Sequence, residues 1–292
     1  MDGAKIKREL ESLYKKYHRP ELLGEDPLGH VSNSLSPEDF ELVSYVSASL
    51  SYGRVEQIKK SLSSLWIRIE KVSSDRKPKS LHALFVDNSW KVLENDFRLS
   101  LKGWVHRFND EKDILILLKT LHRVVHSGLS LGELYAQELS SDPTQKLESF
   151  VQRLRAHAEK KDQKLLRWFA CAPSEGSTCK RLVMWLRWML RSDEIDPGIW
   201  VKSSKLKNKG IGAHLAFIPM DTHIHRWATE RRLLSTKAPS WKAVEELTSF
   251  LRKVDPLDPA RFDFCICHHG MSEFRKKNPA KQKKLNVATR SL

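Results

Sequence analysis

No apolar run in this 292-residue chain approaches the length of a membrane span, and Met1-Asp2-Gly3-Ala4 opens without the apolar core of a secretion signal. The expected setting is therefore the cytosol, without membrane attachment. Cysteine is scarce as well. The four present, Cys171/Cys179 and Cys265/Cys267, do not suggest a disulfide framework in a chain this long. Convincing period-two segments are missing, as is any internal repeat, which leaves helices to build the fold. Acidic residues are in deficit: 36 Asp and Glu stand against 51 Lys and Arg, a formal charge of +15 and a pI near 9.6. Such a balance favours polyanions, nucleic acid first and an anionic membrane surface second, with a merely soluble basic protein as the plain alternative.

What is present reads as helix throughout. Ile6, Leu10, Leu13 and Tyr14 form the stripe of an amphipathic helix ending before Pro20. Ser36-Pro37-Glu38-Asp39 supplies an N-cap and a proline at the first helical position for an apolar helix, Phe40 to Leu50. It stops at Ser51-Tyr52-Gly53-Arg54, and another helix runs from Val55 to about Val72, followed by a polar loop from Ser73 to Ser80. Asn109-Asp110-Glu111-Lys112 caps a helix with Ile114, Leu117, Leu118, Leu121 and Val125 in helical spacing, and Ser141-Asp142-Pro143 starts the next. A helix containing Leu165 to Phe169 ends near Pro173. The one after the turn, Ser177 to Arg191, buries Leu182, Trp185, Leu186 and Met189 and carries a basic stripe of Lys180, Arg187 and Arg191. Lys202 to Gly210 reads as a basic loop, Ser240 caps a further helix and Asp258-Pro259 opens the last. From Arg275 the apolar pattern is lost, so residues 275–292 are expected to be a disordered basic tail with non-specific affinity for phosphates.

The most informative stretch is Ile218-Pro219-Met220-Asp221-Thr222-His223-Ile224-His225-Arg226. Pro219 breaks what precedes it, and Asp221 is a good N-cap for a helix beginning at Thr222. Upstream, Pro173-Ser174-Glu175-Gly176 turns between two helical patterns. This order, with the run Met220-Asp221-Thr222-His223-Ile224-His225-Arg226, resembles the helix-hairpin-helix DNA glycosylases of the endonuclease III branch, whose signature runs Val-Asp-Thr-His-x-x-Arg. Cys179-Lys180-Arg181-Leu182 and Arg187-Trp188-Met189-Leu190-Arg191 look like a bacterial branch of that superfamily.

The resemblance implies an all-α, two-lobed fold. Residues 36–190 would form a barrel-like lobe ending in the hairpin, and residues 1–35 plus 191–274 a second lobe carrying Asp221. It implies a monomer that binds double-stranded DNA containing a damaged base and hydrolyses the N-glycosidic bond of the extruded nucleotide, with strand cleavage as a further option. Asp221 would stabilise the cationic sugar and help deprotonate the attacking water or amine. Its capping role is compatible with this, because capping is expected to leave one oxygen facing the cleft. The hairpin residues Pro173, Ser174, Gly176, Ser177 and Thr178 would hold a DNA phosphate on backbone N–H groups, with Arg187 a further DNA contact. Ser174 replaces the family's first hairpin glycine, and Glu175 places a negative charge where phosphate should approach.

In strand-cleaving relatives a lysine five residues after the hairpin proline forms a Schiff base with the sugar; that place here is Thr178. Lys180 lies two residues on, roughly 200° round a helix, and is either the nucleophile or a phosphate contact. Its 41-residue separation from Asp221 exceeds the usual spacing through an insertion containing Lys202, Lys205, Lys207 and Lys209. The missing lysine keeps a non-catalytic helix-hairpin-helix DNA-binding protein as the alternative. Ser51-Tyr52-Gly53-Arg54 occupies the place of the family's duplex wedge, where Tyr52 would stack and Arg54 hold a phosphate; a tight helix–helix turn is the other reading.

No cofactor and no metal are expected. The four thiolates of an iron–sulfur cluster do not exist with the required spacing, since only Cys265 and Cys267 lie in that region. Within a helix, Cys-x-Cys sends its two thiols to different faces, so Cys265-Ile266-Cys267-His268-His269-Gly270 reads as packing. Asp221-Thr222-His223-Ile224-His225 also mimics a metallohydrolase motif, but that motif sits on a barrel strand, and here it opens a helix. Trp168, Trp185, Trp188, Trp200 and Trp227 read as core.

Overall fold

The computed structural model describes residues 3–31, 35–76 and 80–277. It is all-α: 68% of the chain is helical, and the strands present are two residues each. The helices are α1 (Gly3–Tyr17), α2 (Pro37–Ser49), α3 (Val55–Arg76), α4 (Leu81–Asp87), α5 (Trp90–Leu101), α6 (Glu111–His126), α7 (Leu131–Ala136), α8 (Pro143–Ala156), α9 (Gln163–Phe169), α10 (Lys180–Leu190), α11 (Ile199–Lys202), α12 (Thr222–Glu230), α13 (Trp241–Val254) and α14 (Asp263–Lys277). Between α5 and α6, β1 (Val105–His106) and β2 (Asn109–Asp110) pair as a short antiparallel hairpin.

Two helices buried on nearly every side form the centre, and Glu41, Ser44 and Arg187, which they carry inward, find partners there. Leu182 through Leu190 of α10 are all buried, as is nearly all of α2. They pack together through Trp185, whose indole N–H donates to Ser44 Oγ at 2.9 Å while its ring meets Tyr45 edge-on. Around them, α3 packs on α4 and α5, and α6 on α4 and α5, while α7 packs on α8. α14 packs on α1 and α12. One hydrophobic cluster, from Ile6 to Ile266, runs through all of these elements.

Glu41, buried within α2, reaches across this core. Its carboxylate accepts from the Leu131 and Gly132 amides at 2.8 Å each and from Trp200 Nε1 at 2.6 Å, tying α2 to the start of α7 and to α11. A Cβ on Gly132 would lie 2.7 Å from Trp200 Nε1, so only glycine lets the two elements approach this closely.

Arg187 is not a DNA contact. Its side chain is 1% exposed and ion-paired with Asp263, with Asp196 at 3.2 Å and with Asp26 at 3.5 Å. Arg191, equally buried, holds Asp258 at 2.8 Å, Asp193 at 2.7 Å and the other face of Asp196. Two of the three residues of the apparent basic stripe, Arg187 and Arg191, thus form an internal charge cluster joining α10 to α14 and to the segment before α2.

Several boundaries differ from expectation. α10 begins at Lys180, because Cys179 takes a left-handed backbone (φ 49°) that no helix accommodates. α3 continues to Arg76, and positions 77–79 lie outside the described residues. The last helix opens at Asp263, since Asp258-Pro259 leads into turns first, and it persists to Lys277 instead of ending at Phe274. The remainder of the expected tail, 278–292, lies outside the described residues.

Candidate functional site

Asp221 is the N-cap of α12: its Oδ1 accepts from the amides of His223 (2.8 Å) and Ile224 (2.7 Å). The second oxygen is not free toward a cleft. Oδ2 accepts from the Cys267 thiol of α14 at 3.3 Å. Burial and the adjacent Asp221 charge push that thiol well above the usual range, so Cys267 stays protonated and donates. Cys265, two residues away, donates instead to the Phe262 carbonyl, so the two thiols do diverge. The close approach of α12 and α14 depends on Gly270, where a Cβ would sit 2.6 Å from that of His223.

Lys180 enters the same neighbourhood from α10. Its charge acts on Cys267 and on His223, the two side chains that also feel Asp221. Burial lowers the His223 pKa, with Arg226 and Lys180 adding to the effect and Asp221 opposing it, which keeps the imidazole neutral at neutral pH. Lys180 and Asp221 thus act on the same two side chains, while among the described residues no ion pair joins them and Asp221 does not line the cavity that Lys180 borders. The expected angular offset of Lys180 from Thr178 does not apply, because Thr178 precedes the helix.

The hairpin is anchored by the end of α9, whose last carbonyls have no partners inside the helix. Arg181 donates to the carbonyl of Trp168, Tyr45 to that of Phe169 (3.3 Å), and Arg155 to that of Ala170 (2.9 Å). Pro173 is buried and opens a 3-10 turn to Glu175, and Gly176 follows in the left-handed region (φ 74°), where glycine carries no steric penalty. Glu175 does not face outward as an unpaired charge. It pairs with Arg155 (2.7 Å) and Arg167 (2.9 Å) and accepts from the Ala172 amide at 3.0 Å; Arg155 above all holds its pKa down at about 2. Ser174 is likewise engaged, its amide and hydroxyl donating to Glu148 at 3.1 and 2.8 Å. A carboxylate thus already occupies one of the expected phosphate-binding amides. Ser177 is exposed and Thr178 half-buried.

Beside the hairpin lies a cavity of about 290 Å³, lined among others by Tyr52, Trp168, Cys171, Thr178 and Lys180. Arg54 is exposed at its rim-side turn. Tyr52 is a support and not a free wedge: its hydroxyl donates toward Asn109 Oδ1 (2.6 Å) and the His106 carbonyl (2.9 Å). Cys171 escaped the sequence reading. The neighbouring Cys179 thiol brings that of Cys171 down to about 7 and is itself driven up in return, while Cys179 Sγ donates to the Ser177 carbonyl at 3.5 Å. Trp168, assigned to the core, is 39% exposed; Trp185, Trp188, Trp200 and Trp227 are buried.

Residues 26–272 match the family described as "Protein of unknown function (DUF2400)". The chain belongs to that family. No curated protein and no solved structure matches it. The DUF2400 span begins at Asp26, the most distant partner of Arg187, and ends just past Gly270, so it takes in the internal charge cluster, the hairpin, Lys180 and Asp221 and leaves out α1.

Proposed function

We propose that this DUF2400 protein is a helix-hairpin-helix-type DNA glycosylase, with the two-lobed fold of that superfamily, acting on a damaged base extruded from double-stranded DNA. The observation that carries the reading is the convergence of Asp221, held at the start of α12, and Lys180, at the start of α10, on the same pair of side chains. They are separated by 41 residues of sequence (221 − 180). A carboxylate oriented by two amides is preorganised to stabilise a developing sugar cation, and a lysine whose charge reaches the same side chains would supply either an amine nucleophile or a phosphate contact. Cys267, a weak donor on Oδ2, is the group that substrate or water would displace.

Asp221→Asn tests the reading. Asn caps about as well as Asp, so folding and DNA affinity should hold, while base release from a panel of damaged duplexes falls by about a hundredfold or more. Release at the wild-type rate would leave Asp221 a cap only. In Lys180→Gln, loss of borohydride trapping together with strand cleavage identifies the nucleophile, whereas loss of affinity alone identifies a phosphate contact. A non-catalytic DNA-binding protein is the second reading, favoured by the occupation of both Asp221 oxygens. It predicts binding without base release from any duplex in the panel.

A further inference from the structure

The β1–β2 hairpin presents an aromatic side chain that the packing does not use. Phe108 is 74% exposed at its tip, next to Val105 at 65%. Single exposed apolar residues are ordinary, but this one is mounted on a rigid base. The ring of Tyr52 lies parallel to Phe108 with centroids 6.4 Å apart, and Trp168 meets both edge-on, at 5.4 Å from Tyr52 and 6.1 Å from Phe108. Tyr52 in turn is locked to the hairpin backbone through the His106 carbonyl and Asn109.

Arg107 completes the tip. It adopts a left-handed backbone (φ 54°), which costs an arginine about 1 kcal/mol and which glycine would take freely. Its guanidinium lies 5.4 Å from the Phe108 ring centroid and 5.8 Å from that of Tyr52. Lys102 and Lys112 are exposed nearby in the chain. The hairpin's own carboxylates are turned away: Asp110 accepts from the Lys112 and Asp113 amides, and Asp113 from the Asp110 amide and Asn109. Tyr52 and Trp168 also line the cavity that Lys180 borders, so the aromatic surface is continuous with the candidate site.

We infer that Phe108, backed by Tyr52 and Trp168 and flanked by Arg107, is a stacking platform for an unpaired base of DNA, with Arg107 holding the adjoining phosphate. The inference rests on the DNA reading above and adds to it a place for a base beside the opened duplex. A base offers a flat face to Phe108 and its phosphate a charge to Arg107; the combination of aromatic stacking and cationic tracking is how single strands are held without sequence preference.

The test uses the full-length protein and a fluorescein-labelled 16-mer, as single-stranded DNA, as an intact duplex and as RNA of the same sequence, at low and physiological salt. Phe108→Ala should weaken single-stranded DNA binding about tenfold, the scale of one lost base–aromatic stack, and leave the intact duplex nearly unaffected; Phe108→Trp should retain binding. Arg107→Gly should keep or raise the thermal midpoint while weakening binding and flattening its salt dependence by about one counterion. Unchanged affinity in Phe108→Ala, equal loss on single strand and duplex, or tighter binding of RNA than of DNA would overturn the platform. Failure of the wild-type protein to bind any of the three would instead overturn the DNA reading itself.

Discussion

Asp221 shows how much a single residue's role depends on its second oxygen. Capping fixes Oδ1 on two amides, while Oδ2 is shared with a protonated thiol. Cys267→Ala should therefore leave α12 capped and change base release by less than tenfold in either direction; a loss as large as that of Asp221→Asn would make the thiol part of the machinery. Cys171 gives a sharper handle. With its thiol at about 7, alkylation by iodoacetamide should rise through that pH and level off by about pH 8.5, and labelling mapped by mass spectrometry should fall first on Cys171. Cys179, Cys265 and Cys267, all pushed up, should react last. Preferential labelling of any of these would contradict the thiol arrangement. Nothing in the local sequence announces Cys171: its acidity comes from Cys179, which the turn brings alongside it.

At the scale of elements, the chain's local signals were the readable ones. Ser36, Asp110, Asp142, Asp221 and Ser240 all cap the helices assigned to them, because a cap is satisfied by amides two or three residues away. Arg187 was misread for the opposite reason, its partner Asp263 lying 76 residues ahead. The hairpin mixes both cases. Its proline and glycine were legible, but the arginines from α8 and α9 that neutralise Glu175 were not. Glu175 is therefore a paired charge within the hairpin and not an isolated one facing an incoming phosphate. Glu175→Gln should lower stability by about 1 kcal/mol at neutral pH through the loss of paired charges, with little gain in DNA affinity. The folded-state pKa of Glu175 is depressed to about 2 from 4.5, so its contribution is present above pH 4.5 and fades as the pH falls toward 2. A urea titration at pH 7 and pH 3 checks this: the difference between wild type and variant should shrink at the lower pH.

For the molecule as a whole, Glu41 sets a pH dependence of the opposite sign. Burial pushes its carboxyl up to about 7, against the three donors that pull it down. A raised acid stabilises the fold fully below its unfolded value of 4.5, and that contribution is lost as the pH rises through 7. The whole shift corresponds to about 3 kcal/mol, of which about 2 kcal/mol is lost between pH 5.5 and pH 8, measurable as a lower urea midpoint at pH 8. Glu41→Gln should be less stable at pH 5.5, because its amide N–H₂ faces at least one of three donors, but its midpoint should change less across that range. A wild-type midpoint that is flat between those pH values would mean that Glu41 is ionised throughout. The all-α class was legible from helical periodicity, whereas this carboxylate among three donors was not, since those donors come from α7 and α11.

The internal charge cluster has a consequence for how the chain is made. Arg187 and Arg191 end the first 191 residues, yet Asp193, Asp196, Asp258 and Asp263 all follow them in the sequence; Asp26 alone precedes them. During synthesis from the N-terminus, Asp26, Asp193 and Asp196 are at hand soon after α10 emerges, but the charge balance of the two buried arginines is completed only when Asp258 and Asp263, just before and at the start of α14, have been made, so full burial of α10 is favoured late. The last counter-charges for α10 therefore arrive with the C-terminal third of the chain.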